Sequence, residues 1–124
     1  MPGSVLAIDD SKIILIQIKK VVETLNVKCY TASDAVEGIE CAKNNKDISL
    51  IIADINMPGM NGLDMCREIR MMPHHKSTKI VICTSENSLS AKKTGREIGV
   101  TAWMVKPVSE STFITLINKF ILNS

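Results

Sequence analysis

The chain has no hydrophobic run of the length that a membrane-spanning helix needs, which is about 20 residues. It also lacks a basic segment followed by an apolar one within its first residues, which is the pattern of a secretory leader. These two absences argue against a membrane protein and against a secreted one. We therefore expect a cytoplasmic protein that makes no contact with the membrane.

Paired cysteine motifs are missing as well. The four cysteines, Cys29, Cys41, Cys66 and Cys83, show no CxxC spacing, and three of them lie in apolar stretches. The spacing gives no support for a zinc site, and a cytosolic protein is not expected to hold disulfides. We expect four reduced thiols that pack as small hydrophobic side chains.

Charge of one sign is not in large excess, since the formal net charge is +2 and the basic residues are scattered. The densest basic cluster is His74-His75-Lys76 with Lys79. A nucleic-acid-binding surface would be broader than this cluster. Adjacent histidines also do not present one ligand face to a metal. We interpret the cluster as a solvated loop and expect no direct contact with nucleic acid.

The chain does contain a five-fold alternation of short apolar runs and amphipathic segments. Continuous apolar runs bounded by turn residues are typical of strands that are buried on both faces. Their alternation with helical patterns predicts a doubly wound α/β fold, a parallel sheet with helices on both faces, in one domain spanning residues 1–124. The predicted strands are Val5–Ile8, Val27–Thr31, Ile48–Asp54, Lys79–Cys83 and Thr101–Val105.

The helical segments differ in how regularly their apolar residues are spaced. The second carries Val36 and Ile39 as its expected apolar positions, and the fourth, at 88–98, is interrupted by charged residues and a glycine. We expect this fourth helix to be the least well packed and Gly99 to close it. Four helices begin after a polar residue that can accept a hydrogen bond from the first turn: Ser11, Ser33, Asn61 and Ser109.

Polar residues follow four of the five predicted strands. Because parallel strands end at the same edge of a sheet, these residues should converge there. Carboxylates at close range raise each other's pKa unless positive charge is near, and a hard divalent cation, Mg²⁺ or Mn²⁺, suits them. A metal, a lysine, a hydroxyl and a carboxylate nucleophile are together what phosphoryl transfer requires. The converging residues are Asp9, Asp10, Asp54, Thr84, Ser85 and Lys106.

These residues, with the segment 55–62 after Asp54 and the pair Lys106-Pro107, resemble the motifs of response-regulator receiver domains of the chemotaxis-regulator (CheY-like) type. The resemblance extends from Val5 to the last helix. It implies a (βα)5 unit of flavodoxin-like topology with strand order 2-1-3-4-5. It also implies a cis peptide bond between Lys106 and Pro107, as in many relatives.

The resemblance also implies roles for the acidic residues. Asp54 would accept a phosphoryl group from a histidine kinase or a phosphotransfer protein. Asp10, Asp54 and the main-chain carbonyl of Asn56 would ligate Mg²⁺ directly, and Asp9 would act mostly through water.

The remaining residues would bind the phosphoryl group and report its presence. Lys106 would contact the phosphoryl oxygens, and main-chain N–H groups near Asn56 and Ser85 would complete the cradle. Thr84 would turn its hydroxyl toward the group. Trp103 stands where the family usually has a switch tyrosine or phenylalanine, so its coupling to Thr84 involves a larger ring with a different hydrogen-bonding group.

The implied function is that of a regulatory switch, which is not an enzyme beyond catalysing its own phosphorylation and dephosphorylation. Its output would be the binding of a target protein through the surface of the fourth helix, the fifth strand and the fifth helix, with chemotaxis as one setting. A receiver excised from a longer protein, and a degenerate receiver that signals without phosphorylation, are alternatives.

Two alternatives come from other functional classes. An aspartyl-phosphate phosphatase usually carries a second aspartate two residues after its nucleophile, where this chain has Asn56. A flavodoxin-like electron carrier shares the topology, but Asp9 and Asp10 in the first loop would repel the FMN phosphate. The residues therefore support both alternatives less than the regulatory switch.

Overall fold

Five parallel strands form one sheet in the order β2-β1-β3-β4-β5 in the computed structural model, which describes residues 3–123. The predicted doubly wound fold and its strand order are confirmed. The strands are β1 (Ser4–Ile8), β2 (Cys29–Ala32), β3 (Ile48–Ala53), β4 (Lys79–Thr84) and β5 (Ala102–Val105).

Helices cover both faces of the sheet. α1 and α5 pack together on one face, and α2, α3 and α4 pack in sequence on the other. Across residues 3–123, every helix is too short or too polar to cross a bilayer. The helices are α1 (Lys12–Thr24), α2 (Ala35–Asn44), α3 (Gly62–Arg70), α4 (Leu89–Ile98) and α5 (Glu110–Ile117), with a 3₁₀ turn at Pro73–His75 and a π-helical turn at Asn118–Leu122.

The strand side chains alternate between two cores. In β3, Ile51 packs under α2 and α3, whereas Leu50 and Ile52 pack under α1 and α5. Burial on both faces explains why the sequence of β3 is apolar throughout. The four cysteines are free, as predicted, and burial raises the pKa of the Cys66 thiol to about 12.

The register of the sheet brings the strand ends to one edge. Ile8, the last residue of β1, pairs with Ala53, the last residue of β3. Thr84, the last residue of β4, pairs with Val105, the last residue of β5. The residue that follows each strand therefore emerges at the same edge, which is the requirement for a shared site.

Two expectations for α2 are wrong. Its N-cap is Asp34, whose carboxylate accepts a hydrogen bond from Glu37 N–H at 2.8 Å, whereas Ser33 donates its hydroxyl to the Glu37 side chain. Val36 is 71% exposed, because the helix instead turns its small residues Ala35, Gly38 and Ala42 toward the sheet. A Cβ on Gly38 would lie 2.8 Å from Ile8 Cδ1. The other three predicted caps are confirmed: Ser11, Asn61 and Ser109.

The interpretation of the basic cluster as a solvated loop is wrong for His75, which is fully buried. Its Nε2 lies 2.7 Å from the Ala42 carbonyl oxygen and its Nδ1 lies 2.8 Å from Thr78 Oγ1. The carbonyl can only accept, so Nε2 donates and, in the neutral ring, Nδ1 accepts from the Thr78 hydroxyl. His75 therefore ties the segment before β4 to the end of α2.

We predict that His75 makes the stability of the protein depend on pH. Burial lowers its pKa below the usual value, although the hydrogen bond to Ala42 opposes this effect. The unfolded chain then takes up a proton before the folded one, so the contribution of His75 is complete above its unfolded pKa of about 6.5 and is lost as the pH falls below it. In urea titrations, His75→Gln should reduce the drop in unfolding free energy between pH 7 and pH 5.

The control is Lys20→Gln, which removes an exposed charge of α1. It should keep the pH dependence of the parent. An identical pH dependence in the parent and in His75→Gln would show that the ring of His75 takes up its proton as readily in the folded state as in the unfolded one.

Candidate functional site

Three carboxylates meet at the carboxyl edge of the sheet. Asp9 and Asp10 follow β1, Asp54 follows β3, and one oxygen from each lies within 4.8 Å of the others. The hydrogen bond from Asp54 N–H to the Ile8 carbonyl, 2.9 Å long, continues the sheet pairing to this point. Asp9 and Asp54 are buried, with 3% and 5% exposure, whereas Asp10 is exposed. The predicted convergence of these carboxylates is present.

Lys106 bridges the two buried carboxylates. Its Nζ donates to Asp9 Oδ2 at 2.7 Å and to Asp54 Oδ2 at 2.8 Å. Its own main chain is fixed by a 2.9 Å hydrogen bond to the Thr84 carbonyl. The peptide bond from Lys106 to Pro107 is cis, as the resemblance implied. One ammonium group thus connects the ends of β1, β3 and β5.

The second oxygen of each buried carboxylate is held by the main chain. Asp9 Oδ1 accepts from Ser11 N–H at 2.9 Å, and Asp54 Oδ1 accepts from Asn56 N–H at 3.0 Å. Each of these two carboxylates is therefore fixed through both of its oxygens. Carboxylate oxygens have further lone pairs, so these bonds leave room for a ligand.

The surroundings shift the pKa values of the two buried carboxyls in opposite directions. Burial raises the pKa of Asp9, and its hydrogen bonds from Lys106 and Ser11 only partly oppose that effect. Burial acts in the same direction on Asp54, but the hydrogen bonds from Lys106, Asn56 N–H and Thr84 outweigh it and lower its pKa. Burial would lower the pKa of Lys106, yet its bonds to both carboxylates raise it. Asp54 is therefore held as the anion, the form needed for nucleophilic attack.

The cluster fits a hard divalent cation. Three carboxylates against one ammonium leave two formal negative charges at the edge of the sheet. Oxygen ligands and a charge of this size are what Mg²⁺ requires. Asp10 is the exposed member, and both oxygens of Asp9 already have partners.

Thr84 lies at the centre of a second group of contacts. Its side chain is fully buried, and its hydroxyl oxygen lies 3.4 Å from Asn56 Nδ2 and accepts from Glu86 N–H at 3.3 Å. Ser85, the next residue along the chain, is exposed. Thr84 thus links the Asp54 loop to the segment that follows β4.

Trp103 joins this group from β5. Its indole Nε1–H donates to the Glu86 carbonyl oxygen at 3.0 Å, and the ring is half-buried between α4 and the sheet. The chain of bonds from Trp103 through Glu86 to Thr84 was not predicted in this form. The indole Nε1–H of tryptophan can only donate, but the sequence does not tell which carbonyl accepts it.

We predict that Lys106→Met destabilises the protein, because Asp9 and Asp54 would then repel each other without compensation. The loss in unfolding free energy should be about 2–3 kcal/mol, below the roughly 3–5 kcal/mol of a fully buried pair, since the lysine side chain is 21% exposed. Mg²⁺ should restore part of this loss and should stabilise the variant more than the parent. Urea titrations with and without Mg²⁺ measure both effects.

Lys93→Met, which removes an exposed lysine of α4, is the matched control and should change stability little. Equal stability of the parent and Lys106→Met in the absence of Mg²⁺ would mean that the bridge does not hold the carboxylates together.

Comparison with known proteins places this geometry in a family. Residues 5–118 match the response regulator receiver domain. The chain is 33% identical over 103 residues to the chemotaxis protein CheY1 of Helicobacter pylori, covering 82% of this chain and 83% of that protein. It is 32% identical over 118 residues to the sensor histidine kinase CheAY of the same organism, covering 94% of this chain but 15% of the kinase.

Solved structures agree with the sequence comparison. The chemotaxis response regulator CheY4 of Vibrio cholerae superposes with a TM-score of 0.88 at 31% identity, covering 97% of this chain and 99% of that one. The family match covers nearly the whole chain, and the matched segment spans 83% of CheY1 and 99% of CheY4. The chain therefore belongs to the response regulator receiver domain family, regulatory signalling domains of two-component systems, and is CheY-like within it.

Proposed function

We propose that the protein, as a single receiver domain over residues 1–124, is a phosphorylation-controlled switch whose phosphoacceptor is Asp54. The observation that carries the proposal is the bridge from Lys106 to Asp54 and Asp9 beside the exposed Asp10. It combines an ionised carboxylate, a cation for phosphoryl oxygens and an acidic cluster that suits Mg²⁺ or Mn²⁺. The donor is a histidine kinase or a phosphotransfer protein.

The chemistry follows from the positions of these groups. A carboxylate oxygen of Asp54 attacks phosphorus, an acyl phosphate forms, and the bond between phosphorus and the donor nitrogen breaks. Lys106 Nζ exchanges its contact with Asp54 for one with a phosphoryl oxygen while it keeps Asp9. Asp10, Asp54 and the Asn56 carbonyl would hold a Mg²⁺ ion, with Asp9 acting through water, and the ion would supply the remaining neutralisation of charge. The N–H groups near Asn56 and Ser85 complete the cradle.

Thr84 and Trp103 are proposed to pass the signal on. Thr84 already touches the Asp54 loop and Glu86, so a turn of its hydroxyl toward a phosphoryl oxygen changes the bond to Glu86 N–H. Trp103 is anchored to the carbonyl of the same residue and therefore senses that change. The indole N–H gives this chain a hydrogen bond that phenylalanine could not make.

The proposed output surface is formed by α4, β5 and α5, and the proposed target is a protein. Leu89 is 84% exposed and Val105 is 43% exposed on this surface, which supports its use as an interface. The similarity to CheY1 and CheY4 supports chemotaxis as the setting. The match to a segment of the longer CheAY supports the alternative of a receiver within a larger protein, where the same chemistry applies.

We predict that one phosphoryl group is added to the protein by acetyl phosphate in the presence of Mg²⁺ and none in the presence of a chelator. Asp54→Asn should take up none, because an amide is not a nucleophile here. Intact-mass spectrometry counts the groups. Asp64→Asn changes an exposed aspartate of α3 and is the control, with labelling equal to that of the parent. Labelling of Asp54→Asn, or labelling that persists in chelator, would contradict the proposal.

We also predict that the fluorescence of Trp103, the single tryptophan of the chain, changes when Mg²⁺ and beryllofluoride are added together. The reason is that Thr84 and the Glu86 carbonyl lie between the indole and Asp54. Asp54→Asn should remove the change. If the parent is folded and accepts phosphoryl groups but its fluorescence does not change, the result contradicts the coupling of Trp103 to the site. It does not contradict the phosphorylation of Asp54.

A further inference from the structure

Arg70, the last residue of α3, connects the end of this helix to two other segments through their main-chain carbonyls. Its guanidinium group donates to five of them, which come from the loop before β4 and from the end of α4. The contacts are Nη1 to His75 (2.8 Å), Lys76 (3.3 Å) and Thr78 (2.6 Å), Nε to Ile98 (3.3 Å) and Nη2 to Gly99 (2.9 Å). No motif in the sequence signals this arrangement.

The contacts with Ile98 and Gly99 fix the carboxyl end of α4. The last carbonyls of a helix have no intrahelical donor, and the helix dipole makes this end negative. Gly99 adopts φ 89° and donates back to the carbonyls of Gly95 and Arg96, which closes the helix. Arg70 supplies both the missing donors and a positive charge at the same place.

The packing of α4 is uneven along its length. Its buried residues, Gly95 and Ile98, lie in the second half. A Cβ on Gly95 would lie 3.2 Å from the Trp103 ring, so this half approaches the sheet closely. In the first half, Leu89 is 84% exposed and Ser90 is exposed. The carboxyl half is therefore buried and held by Arg70, whereas the amino half contacts the core through the half-buried Ala91 and leaves Leu89 in solvent.

The amino end of α4 is instead connected to the functional site. Ser88 caps the helix, and its N–H donates to Glu86 Oε2 at 3.3 Å. Glu86 N–H in turn donates to Thr84 Oγ1. A change at Thr84 thus reaches α4 at the end that is weakly packed, and Arg70 holds the opposite end.

We propose that Arg70 is a positioning residue that makes the carboxyl end of α4 a fixed pivot, so that switching displaces the amino half of the helix while residues 95–99 stay in place. The proposal rests on the proposed function for its second part only. The clamp itself exists without phosphorylation, so the two parts can be tested separately.

The first test is hydrogen exchange of the unmodified protein. Arg70→Gln removes the guanidinium and should speed exchange in segment 95–101 about tenfold, because hydrogen bonds from a charged donor are lost. Arg70→Lys keeps the positive charge but loses the planar guanidinium with its several donors. Its exchange rate in segment 95–101 should lie between those of Arg70→Gln and the parent. Arg67→Gln, which removes an exposed arginine of α3 whose ion pair is with Asp64, is the matched control and should exchange like the parent.

Exchange in α1 serves as the internal reference, since it should be equal in all four proteins. Faster exchange in α1 as well as in 95–101 would mean that Arg70 contributes only general stability, and unchanged exchange in 95–101 would mean that there is no clamp. Either result would overturn the proposal.

The second test adds Mg²⁺ and beryllofluoride. In the parent, exchange should change in segment 85–94 and not in 95–101, and in Arg70→Gln the change should extend into 95–101. A change that spans both segments of the parent equally would overturn the pivot while leaving the switch intact. The absence of any change, in the Asp54 loop as well, would instead contradict the proposed function.

Discussion

The contact of one ammonium group with two buried carboxylates is the interaction on which the site depends. Asp9 and Asp54 are brought to the same edge because β1 and β3 are neighbours in register. Without Lys106, burial and mutual repulsion would oppose the ionised state of both carboxyls. With it, Asp54 stays anionic while the cluster as a whole keeps an excess of negative charge. The close approach of the carboxylates thus creates both the need for the positive charge of Lys106 and the capacity to bind a cation.

A rigid sheet can carry a switch if the parts that move lie beyond the ends of its strands. β1, β3 and β4 are buried on both faces, so a slip of one residue would move each of their apolar side chains to the wrong core, and the ends of these strands are fixed. The parts that can move are the side chains and loops beyond those ends. Thr84, Glu86 and Trp103 form a continuous set of hydrogen bonds there, and α4 begins directly after it. Arg70 limits how far a displacement travels along α4.

The parallel sheet and the convergence of Asp9, Asp54 and Lys106 could be predicted, because they follow from periodicity and from the topology of parallel strands. The strand order came from the resemblance to receiver domains. The exact partners of Lys106 could not, since sequence spacing does not say which carboxylates one ammonium will bridge. The burial of His75 was missed because an adjacent His-His pair beside lysines has the composition of a loop. The contacts of Arg70 were not predicted either, because its partners are main-chain carbonyls, which every residue type offers.

The most direct measurement of the central claim is a crystal structure of the protein with Mg²⁺ and beryllofluoride, which mimics a phosphoryl group on a carboxylate. The account predicts beryllium bonded to an oxygen of Asp54, Mg²⁺ beside Asp10, and Lys106 Nζ moved from Asp54 to a fluoride while it still contacts Asp9. A structure in which beryllofluoride binds another residue, or in which Lys106 remains on Asp54 Oδ2 with the mimic bound, would contradict it.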